Sequence, residues 1–186
     1  MNIGFAMCGS FCTYAEVFPV LEALASIHTV TPIFSLASQT ADTRFGTAKE
    51  HIQRAEAICG RKALCSISDV EPIGPKQLLD ALVIAPCTGN TIAKLAHSIA
   101  DGPVTMAAKS HLRNARPVLI AVSSNDALAG AAENIGRLLN KKNYYFVPFG
   151  QDDPIKKPTS MVADFEKLPQ ALESALEGKQ IQPLII

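Results

Sequence analysis

The sequence has no excess of charge of either sign, because 17 lysine and arginine residues balance 17 aspartate and glutamate residues. This balance provides no general attraction to nucleic acid or to an anionic membrane, so a small-molecule ligand is favoured. The sequence also lacks any apolar run near the ~20 residues that a membrane span needs, and no basic stretch leads into a signal-type apolar segment. We therefore expect a protein of the cytoplasm.

Signatures of a metal site or a hydrolytic triad are also absent. The five cysteines are Cys8, Cys12, Cys59, Cys65 and Cys87, and they form no CxxC pair with a neighbouring histidine set. We interpret them as reduced thiols that serve as small apolar side chains, as is usual in a cytosolic chain. The alternative is a reactive Cys87, because it stands at the start of a predicted helix, where a thiol can be activated. The four histidines indicate no serine-histidine-aspartate triad.

Apolar segments alternate with segments of helical spacing along the chain. Strands are predicted at residues 2–7, 28–35, 80–86, 116–123 and 143–150. This alternation indicates an α/β fold with a three-layer, doubly wound parallel sheet of the Rossmann-like or flavodoxin-like kind. A chain of 186 residues is long enough for one such domain and short for two, so we expect a single domain over residues 1–186.

Capping and breaking residues complete the prediction of secondary structure. Helices are predicted at residues 15–27, 47–60, 90–100, 102–114, 126–142 and 161–178, and polar loops at 36–46 and 151–160. Gly60 suits a helix C-cap, and Pro103 suits the first turn of a helix. Pro72, Gly74 and Pro75 interrupt residues 61–79, which we interpret as a connection with a short helical turn.

Right-handed crossovers bring the carboxyl ends of all five predicted strands to one edge of the sheet, where we expect the ligand. At this edge Gly9-Ser10 opens into a helix, whose unpaired N–H groups and dipole suit a phosphate. A tight turn with a serine cap is the alternative, because the chain has neither GxGxxG nor GxxxxGK[ST]. Three histidines, His51, His97 and His111, fall in predicted helices away from this edge.

Three kinds of side chain near this edge are candidates for ligand contact. Asn90 and Asn125 follow the third and fourth strands, and an amide can recognise the carbonyl and ring nitrogen of a flat heterocycle. Helix capping is the alternative for each. Arg44 in the loop at 36–46 is suited to a carboxylate, with a solvated arginine as the alternative. Lys156 and Lys157 belong to a charged, proline-rich run that is either a lid or a solvated surface.

The stretch "APCTGNT" at residues 85–91 resembles the "PASANT"-type motif of the flavoproteins that include phosphopantothenoylcysteine decarboxylases and flavin prenyltransferases. Gly9-Ser10 stands where the first phosphate-contacting loop of that family lies. Within the family, six segments resemble the B subunits of dipicolinate synthase from spore-forming bacteria. They are residues 8–19, 43–46, 84–96, 103–118, 123–128 and 148–163.

This resemblance implies an oxidoreductase subunit and a homo-oligomer. The subunit would act with an NADP-binding A subunit to oxidise dihydrodipicolinate to pyridine-2,6-dicarboxylate. It would do so during sporulation, in the cytoplasm of the mother cell. The resemblance also implies FMN at the sheet edge, held by Gly9, Ser10, Ser35, Ser38, Pro86, Thr88, Gly89, Asn90, Thr91, Ser123 and Asn125. The implied dicarboxylate needs charged donors, for which Arg44, Lys156 and Lys157 are the candidates. No catalytic residue or metal site is predicted.

The sequence departs from the decarboxylase pattern in three places. Pro72 occupies the position of a histidine that the decarboxylases carry before the third strand, and Val122–Asn125 keeps only the asparagine of their "PAMN" motif. Residues 148–158 contain no cysteine-bearing flap. Cysteine decarboxylation is therefore not indicated. Two alternatives to the synthase subunit are a non-catalytic scaffold with a decayed nucleotide site and an independent FMN-dependent reductase or decarboxylase.

Overall fold

The computed structural model describes all residues from 1 to 186 and contains a mostly parallel sheet. Its main strands are β1 (Asn2–Met7), β2 (Thr29–Phe34), β3 (Ala81–Cys87), β4 (Val118–Ser124) and β5 (Tyr144–Phe146). They pair in the order β2-β1-β3-β4-β5, and every pair is parallel. This is the flavodoxin-like strand order, so the predicted fold class is confirmed.

Burial explains why β3 reads as a continuous apolar run in the sequence. All seven residues of β3 are buried, which is the pattern of a parallel strand covered by helices on both faces. The chain first passes from β1 to β2 on one side and then returns to β3 on the other side of β1. The crevice between the carboxyl ends of β1 and β3 is therefore the switch point at which ligands bind in such folds.

The helices form two layers. They are α1 (Tyr14–Ile27), α2 (Leu36–Thr40), α3 (Ala48–Cys59), α4 (Ile67–Val70), α5 (Gly89–Ala96), α6 (Pro103–Leu112), α7 (Ala132–Leu139) and α8 (Leu168–Leu176). Helix α1 contacts α3 and α8, whereas α5 contacts α6 and α7, and α6 contacts α4. Two predicted helix ends are confirmed, because Gly60 caps α3 with a φ of 61° and Pro103 opens α6. None of these helices combines the length and the apolar character that crossing a membrane requires.

Two predictions of secondary structure, at residues 36–46 and 126–142, are wrong. The loop predicted at residues 36–46 contains helix α2, because Ser35 caps it by accepting a hydrogen bond from the Ser38 amide. The helix predicted at 126–142 is confined to Ala132–Leu139. The preceding residues form turns in which the amides of Ala129 and Ala131 both donate to the carbonyl of Asp126. The alanine-rich residues before α7 therefore led to a predicted helix that is longer than the observed one.

The carboxyl-terminal third also differs from the prediction. The strand predicted at 143–150 divides into β5 and a second strand, β6 (Phe149–Gly150), because Pro148 between them has no amide to donate. The helix predicted from residue 161 begins instead with a strand, β7 (Met161–Ala163). Strand β7 is antiparallel both to β6 and to the end of β4, where Ser124 pairs with Met161. This antiparallel extension anchors the loop at 151–160 beside the ligand edge.

Candidate functional site

A cavity of about 320 Å³ opens between the carboxyl ends of β1 and β3, and we call it the β1–β3 cavity. It lies at the switch point of the sheet. Its lining comprises Gly9, Ser35, Leu36, Ala37, Thr88, Asn90, Thr91, Lys94 and residues 101–105. Loops after β1, β2 and β3 thus meet in one site, as the strand order requires.

The first turns of helices α5 and α6 line the β1–β3 cavity. Helix α5 begins at Gly89 behind its N-cap Thr88, and α6 begins at Pro103. The amides of Gly9 and Ser10 also donate to no acceptor within the chain. Unpaired N–H groups and the positive ends of two helix dipoles favour an anion such as a phosphate.

One ion pair stands at the rim of this cavity. The Lys94 ammonium lies 2.8 Å from a carboxylate oxygen of Asp101, and this hydrogen bond lowers the pKa of Asp101. Because Asp101 offsets the charge of Lys94, the attraction of the cavity for an anion comes mainly from the backbone. An anion bound by backbone amides needs small residues nearby, and a Cβ at Gly9 would lie 3.2 Å from the methyl group of Thr88.

A second cavity, of about 680 Å³, lies between the loops that follow β1 and β4, and we call it the β4 cavity. It is lined by Ser10, Cys12, Thr13, Glu16, Thr88, Gly89, Asn90, residues 123–126, Asp152, Lys157, Ser160 and Val162. Thr88 and Asn90 also line the β1–β3 cavity. The loop after β3 therefore separates two adjacent polar cavities, and Asn90 can reach a ligand in either of them.

Hydrogen bonds fix the start of α5 against the end of β4. The amide of Gly89 donates to the Ser124 hydroxyl at 3.1 Å, and this hydroxyl donates to the Asp126 carboxylate. A Cβ at Gly89 would lie 2.6 Å from that carboxylate, so a larger residue here would displace the Asp126 side chain. The Ser10 hydroxyl donates to the carbonyl of Ser123 at 2.7 Å and ties the loop after β1 to the same strand end.

Carboxylates outnumber cations in the β4 cavity. Burial opposes ionisation of Asp152, but hydrogen bonds from Ser160 and Lys157 outweigh it and hold the Asp152 pKa below its ordinary value. The 2.9 Å contact with Asp152 in turn raises the pKa of Lys157. Glu16 and Asp126 line the same cavity, so three carboxylates face one ammonium. A dianionic ligand would therefore need further cations or neutral donors.

The capping alternative for Asn90 and Asn125 is wrong. The N-cap of α5 is Thr88, and that of α7 is Ala131. The exposed side chain of Asn90 forms no hydrogen bond within the chain, so both its donor and its acceptor groups are available. The side-chain oxygen of Asn125 accepts a long bond, 3.5 Å, from the Ser160 hydroxyl.

The structure distributes the other predicted residues among several environments. Gly9, Ser35 and Thr91 line the β1–β3 cavity, Ser10, Gly89, Ser123 and Lys157 line the β4 cavity, and Thr88 lines both. Ser38 is fully buried, where its hydroxyl lies 2.8 Å from that of Ser35 and donates to the carbonyl of Met7. Pro86 is buried in β3, and its carbonyl accepts from the amide of Cys8. Ser38 and Pro86 are thus placed to support the lining.

Arg44 and Lys156 line neither cavity. The guanidinium of Arg44 lies 4.8 Å from the ring centroid of Phe45 in the loop before α3. The amide of Lys156 donates to the Asp153 carboxylate within the turn between β6 and β7. Their roles as dicarboxylate ligands stay predictions.

One part of the site is not predicted from the sequence. Residues Gly102–Thr105 line the β1–β3 cavity, and the only signal was the Gly-Pro pair that opens α6. His51 lines neither of the two cavities. Its ring lies 4.7 Å from that of Tyr14, beside the loop that follows β1. Burial lowers the His51 pKa, and its Nε2 has no hydrogen-bond partner.

The two cysteines beneath the site are buried. Burial raises the pKa of Cys87 well above its ordinary value, so its thiol stays neutral. The hydroxyl of Thr91 lies 3.4 Å from the sulfur of Cys8 and donates to it, which fixes Thr91 in the cavity wall. All five cysteines are free thiols. The interpretation of Cys87 as a small apolar side chain fits this environment, and that of a reactive thiol does not.

The sequence profile of the Flavoprotein family matches residues 1–171. The chain belongs to the flavoprotein family. This flavoprotein is 48% identical to the B subunit of dipicolinate synthase of Bacillus subtilis (strain 168), over 100% of the chain and 93% of that protein. It is 47% identical to the B subunit of dipicolinate synthase from Bacillus halodurans C, with a TM-score of 0.91 over 100% of this chain and 95% of that one. The resemblance found in the sequence is confirmed.

More distant flavoproteins share the fold. Burkholderia xenovorans DmrB, solved in complex with FMN and described as a cubic protein cage for redox transfer, is 17% identical to this chain. The two structures superpose with a TM-score of 0.68 over 95% of each chain. At this low identity, the similarity shows only that the two proteins share a fold.

Proposed function

We propose that this flavoprotein is the B subunit of a dipicolinate synthase, active in the mother-cell cytoplasm of a sporulating bacterium. It acts with an NADP-binding A subunit to oxidise dihydrodipicolinate to pyridine-2,6-dicarboxylate. The observation that carries the proposal is the 48% identity to such a subunit over the whole chain. The polar cavities on both sides of Asn90 support it, because they offer room for a cofactor and a small substrate side by side.

The residues of the β1–β3 cavity fit FMN. The free amide of Gly9 and the first turns of α5 and α6 suit its phosphate. The hydroxyls of Thr88 and Thr91 and the amide of Asn90 suit its polyol chain and the polar edge of its ring. When bound, FMN supplies a group that accepts and releases a hydride.

Oxidation of the dihydropyridine removes a hydride and a proton from the ring, and the gain of aromaticity drives it. Oxidised nicotinamide held by the A subunit would supply the hydride acceptor, and a base would accept the proton. Within this chain, the Lys157 ammonium and the Asn125 amide are the donors in the β4 cavity that suit the substrate carboxylates. Asp152 competes for Lys157, so substrate binding requires that this ion pair opens or that another protein chain supplies cations.

The FMN site is tested by titrating the purified chain with FMN and recording the flavin spectrum. The wild type is expected to bind. Asn90→Ala should weaken binding about fivefold, because one hydrogen bond is worth about 1 kcal/mol. Asn140→Ala is the matched control, since Asn140 bonds only the Gly136 carbonyl at the exposed end of α7. A wild type that binds no FMN would identify a scaffold with a decayed nucleotide site.

The partner and the reaction are tested by reconstitution. Product formation is measured with dihydrodipicolinate and NADP for the flavoprotein alone, for the A subunit alone and for the mixture. The proposal expects pyridine-2,6-dicarboxylate at full rate only from the mixture. Full activity of the A subunit alone would contradict it. Turnover by the flavoprotein alone would instead identify an independent enzyme.

A further inference from the structure

A third cavity, of about 370 Å³, lies between α5 and α6, and we call it the α5–α6 cavity. It is lined by Leu95, Ser98, Ile99, Ala100, Thr105, Lys109, Leu112, Arg113 and Tyr144. Its walls are more apolar than those of the two cavities at the sheet edge. It is large enough for a small organic ligand, since ligand cavities begin at about 300 Å³.

Two unpaired cations face this cavity from one helix. Lys109 and Arg113 are four residues apart on α6 and its C-cap, and neither forms an ion pair. Like charges at this spacing destabilise a helix, although the negative end of the helix dipole offsets part of the cost. No carboxylate lines the cavity, in contrast to the β4 cavity. The electrostatic environment therefore favours an anion.

A neutral hydrogen-bond donor completes the set. Burial raises the pKa of Tyr144 to about 12, so its phenol remains protonated at neutral pH. Its hydroxyl makes no hydrogen bond within the chain. Cations and a phenol above apolar walls suit a ligand that has both an anionic group and a flat apolar body. Inorganic phosphate would leave Leu95, Ile99 and Leu112 uncovered.

We propose that the α5–α6 cavity binds a small planar carboxylate. Its ring packs against Leu95, Ile99 and Leu112, and its carboxylate pairs with Arg113 and Lys109. The guanidinium of Arg113 can bind a carboxylate with two parallel hydrogen bonds. This site is separate from both cavities at the sheet edge. It shares only Thr105 with the β1–β3 cavity and no residue with the β4 cavity.

Two probes test the site on the FMN-free chain by calorimetric titration in metal-free buffer. They are benzoate and pyridine-2,6-dicarboxylate, and only the choice of the latter rests on the proposed function. The wild type is expected to bind. The double variant Lys109→Gln with Arg113→Gln should bind at least tenfold more weakly. Lys142→Gln, which removes an exposed lysine outside the cavity, is the matched control and should bind as the wild type does.

Further variants distinguish binding in the α5–α6 cavity from binding in the two cavities at the sheet edge. Ile99→Asp places a carboxylate at the mouth of the cavity and should abolish binding, and the side chain is 46% exposed, so the fold should tolerate it. Lys157→Gln and Asn90→Ala should leave the binding of benzoate unchanged. Absence of benzoate binding to the wild type, unchanged benzoate binding in the double variant, or loss of benzoate binding in Lys157→Gln would overturn the proposal.

A second copy of the chain is the remaining alternative occupant of the α5–α6 cavity. Light scattering measures the oligomeric state of the wild type and of Ile99→Asp. The proposal expects the same state for both. A shift of Ile99→Asp to a smaller species would overturn the proposal, because the cavity would then be an interface. Failure of FMN binding would not affect these results, since the titrations contain no flavin.

Discussion

At the scale of single residues, the loop before α3 shows how tightly one position is constrained. Gly46 has a φ of 125°, which residues with a side chain rarely adopt. A Cβ there would lie 2.8 Å from Cε1 and 2.9 Å from Nε2 of His51. The His51 ring is packed among the rings of Phe11, Tyr14 and Phe18 and has little room to move away. Backbone conformation and packing therefore both require glycine.

Gly46→Ala should lower the free energy of unfolding by about 2–4 kcal/mol, because backbone strain and a steric clash add. Gly60→Ala is the matched control. Gly60 has a φ of 61°, but no atom lies within 4 Å of its Cβ position, so only the backbone cost of about 1 kcal/mol applies. Urea denaturation measures both. Equal losses in the two variants would show that contact with His51 contributes nothing.

At the scale of secondary-structure elements, local patterns predicted the parts of the fold that depend on local sequence. The apolar run of β3 and the glycine that ends α3 each indicate one structure regardless of distant residues. Strand β7 has only three residues, and its partner Ser124 on β4 is distant in the sequence. Three apolar residues fit a helix or a strand equally well. Pairing with β4 and β6 therefore determines that Met161–Ala163 form a strand.

The same distinction explains the candidate site. Gly9, Thr88 and Asn90 were predictable because they follow strands whose carboxyl ends must meet at one edge. Gly102–Thr105 were missed because α6 follows no strand directly, and tertiary packing against the sheet, α4 and α5 brings its first turn to the β1–β3 cavity. The direction of a long charged side chain cannot be read from its position in a loop. Lys157 therefore lines a cavity, whereas Lys156 does not.

At the scale of the whole molecule, a net charge of zero conceals an uneven distribution. The β4 cavity has an excess of carboxylates, and the α5–α6 cavity contains only cations. The net charge of the sequence argues against a general affinity for polyanions. The fold, however, determines which charged side chains line the same cavity. Two anionic ligands can therefore encounter opposite environments on one neutral protein.

Global stability depends on a buried histidine that lines none of the three cavities. His111 on α6 is fully buried, and its Nε2 lies 3.1 Å from the carbonyl of Pro117, to which it donates. Its Nδ1 has no partner, so protonation there would bury an unpaired donor. Burial lowers the pKa of His111 from 6.5 to about 4 in the folded chain.

Between pH 6.5 and 4 the unfolded chain therefore binds a proton that the folded chain does not. The stability contributed by neutral His111 is complete above pH 6.5 and falls as the pH decreases, by about 3 kcal/mol in all. Urea denaturation at pH 7, 6 and 5 should show this decline in the wild type and in His97→Gln, where the replaced histidine is exposed. His111→Gln should be less stable at pH 7 but should decline less, with the pH dependence of His51 remaining. The same decline in His111→Gln and the wild type would show that protonation of His111 does not limit acid stability.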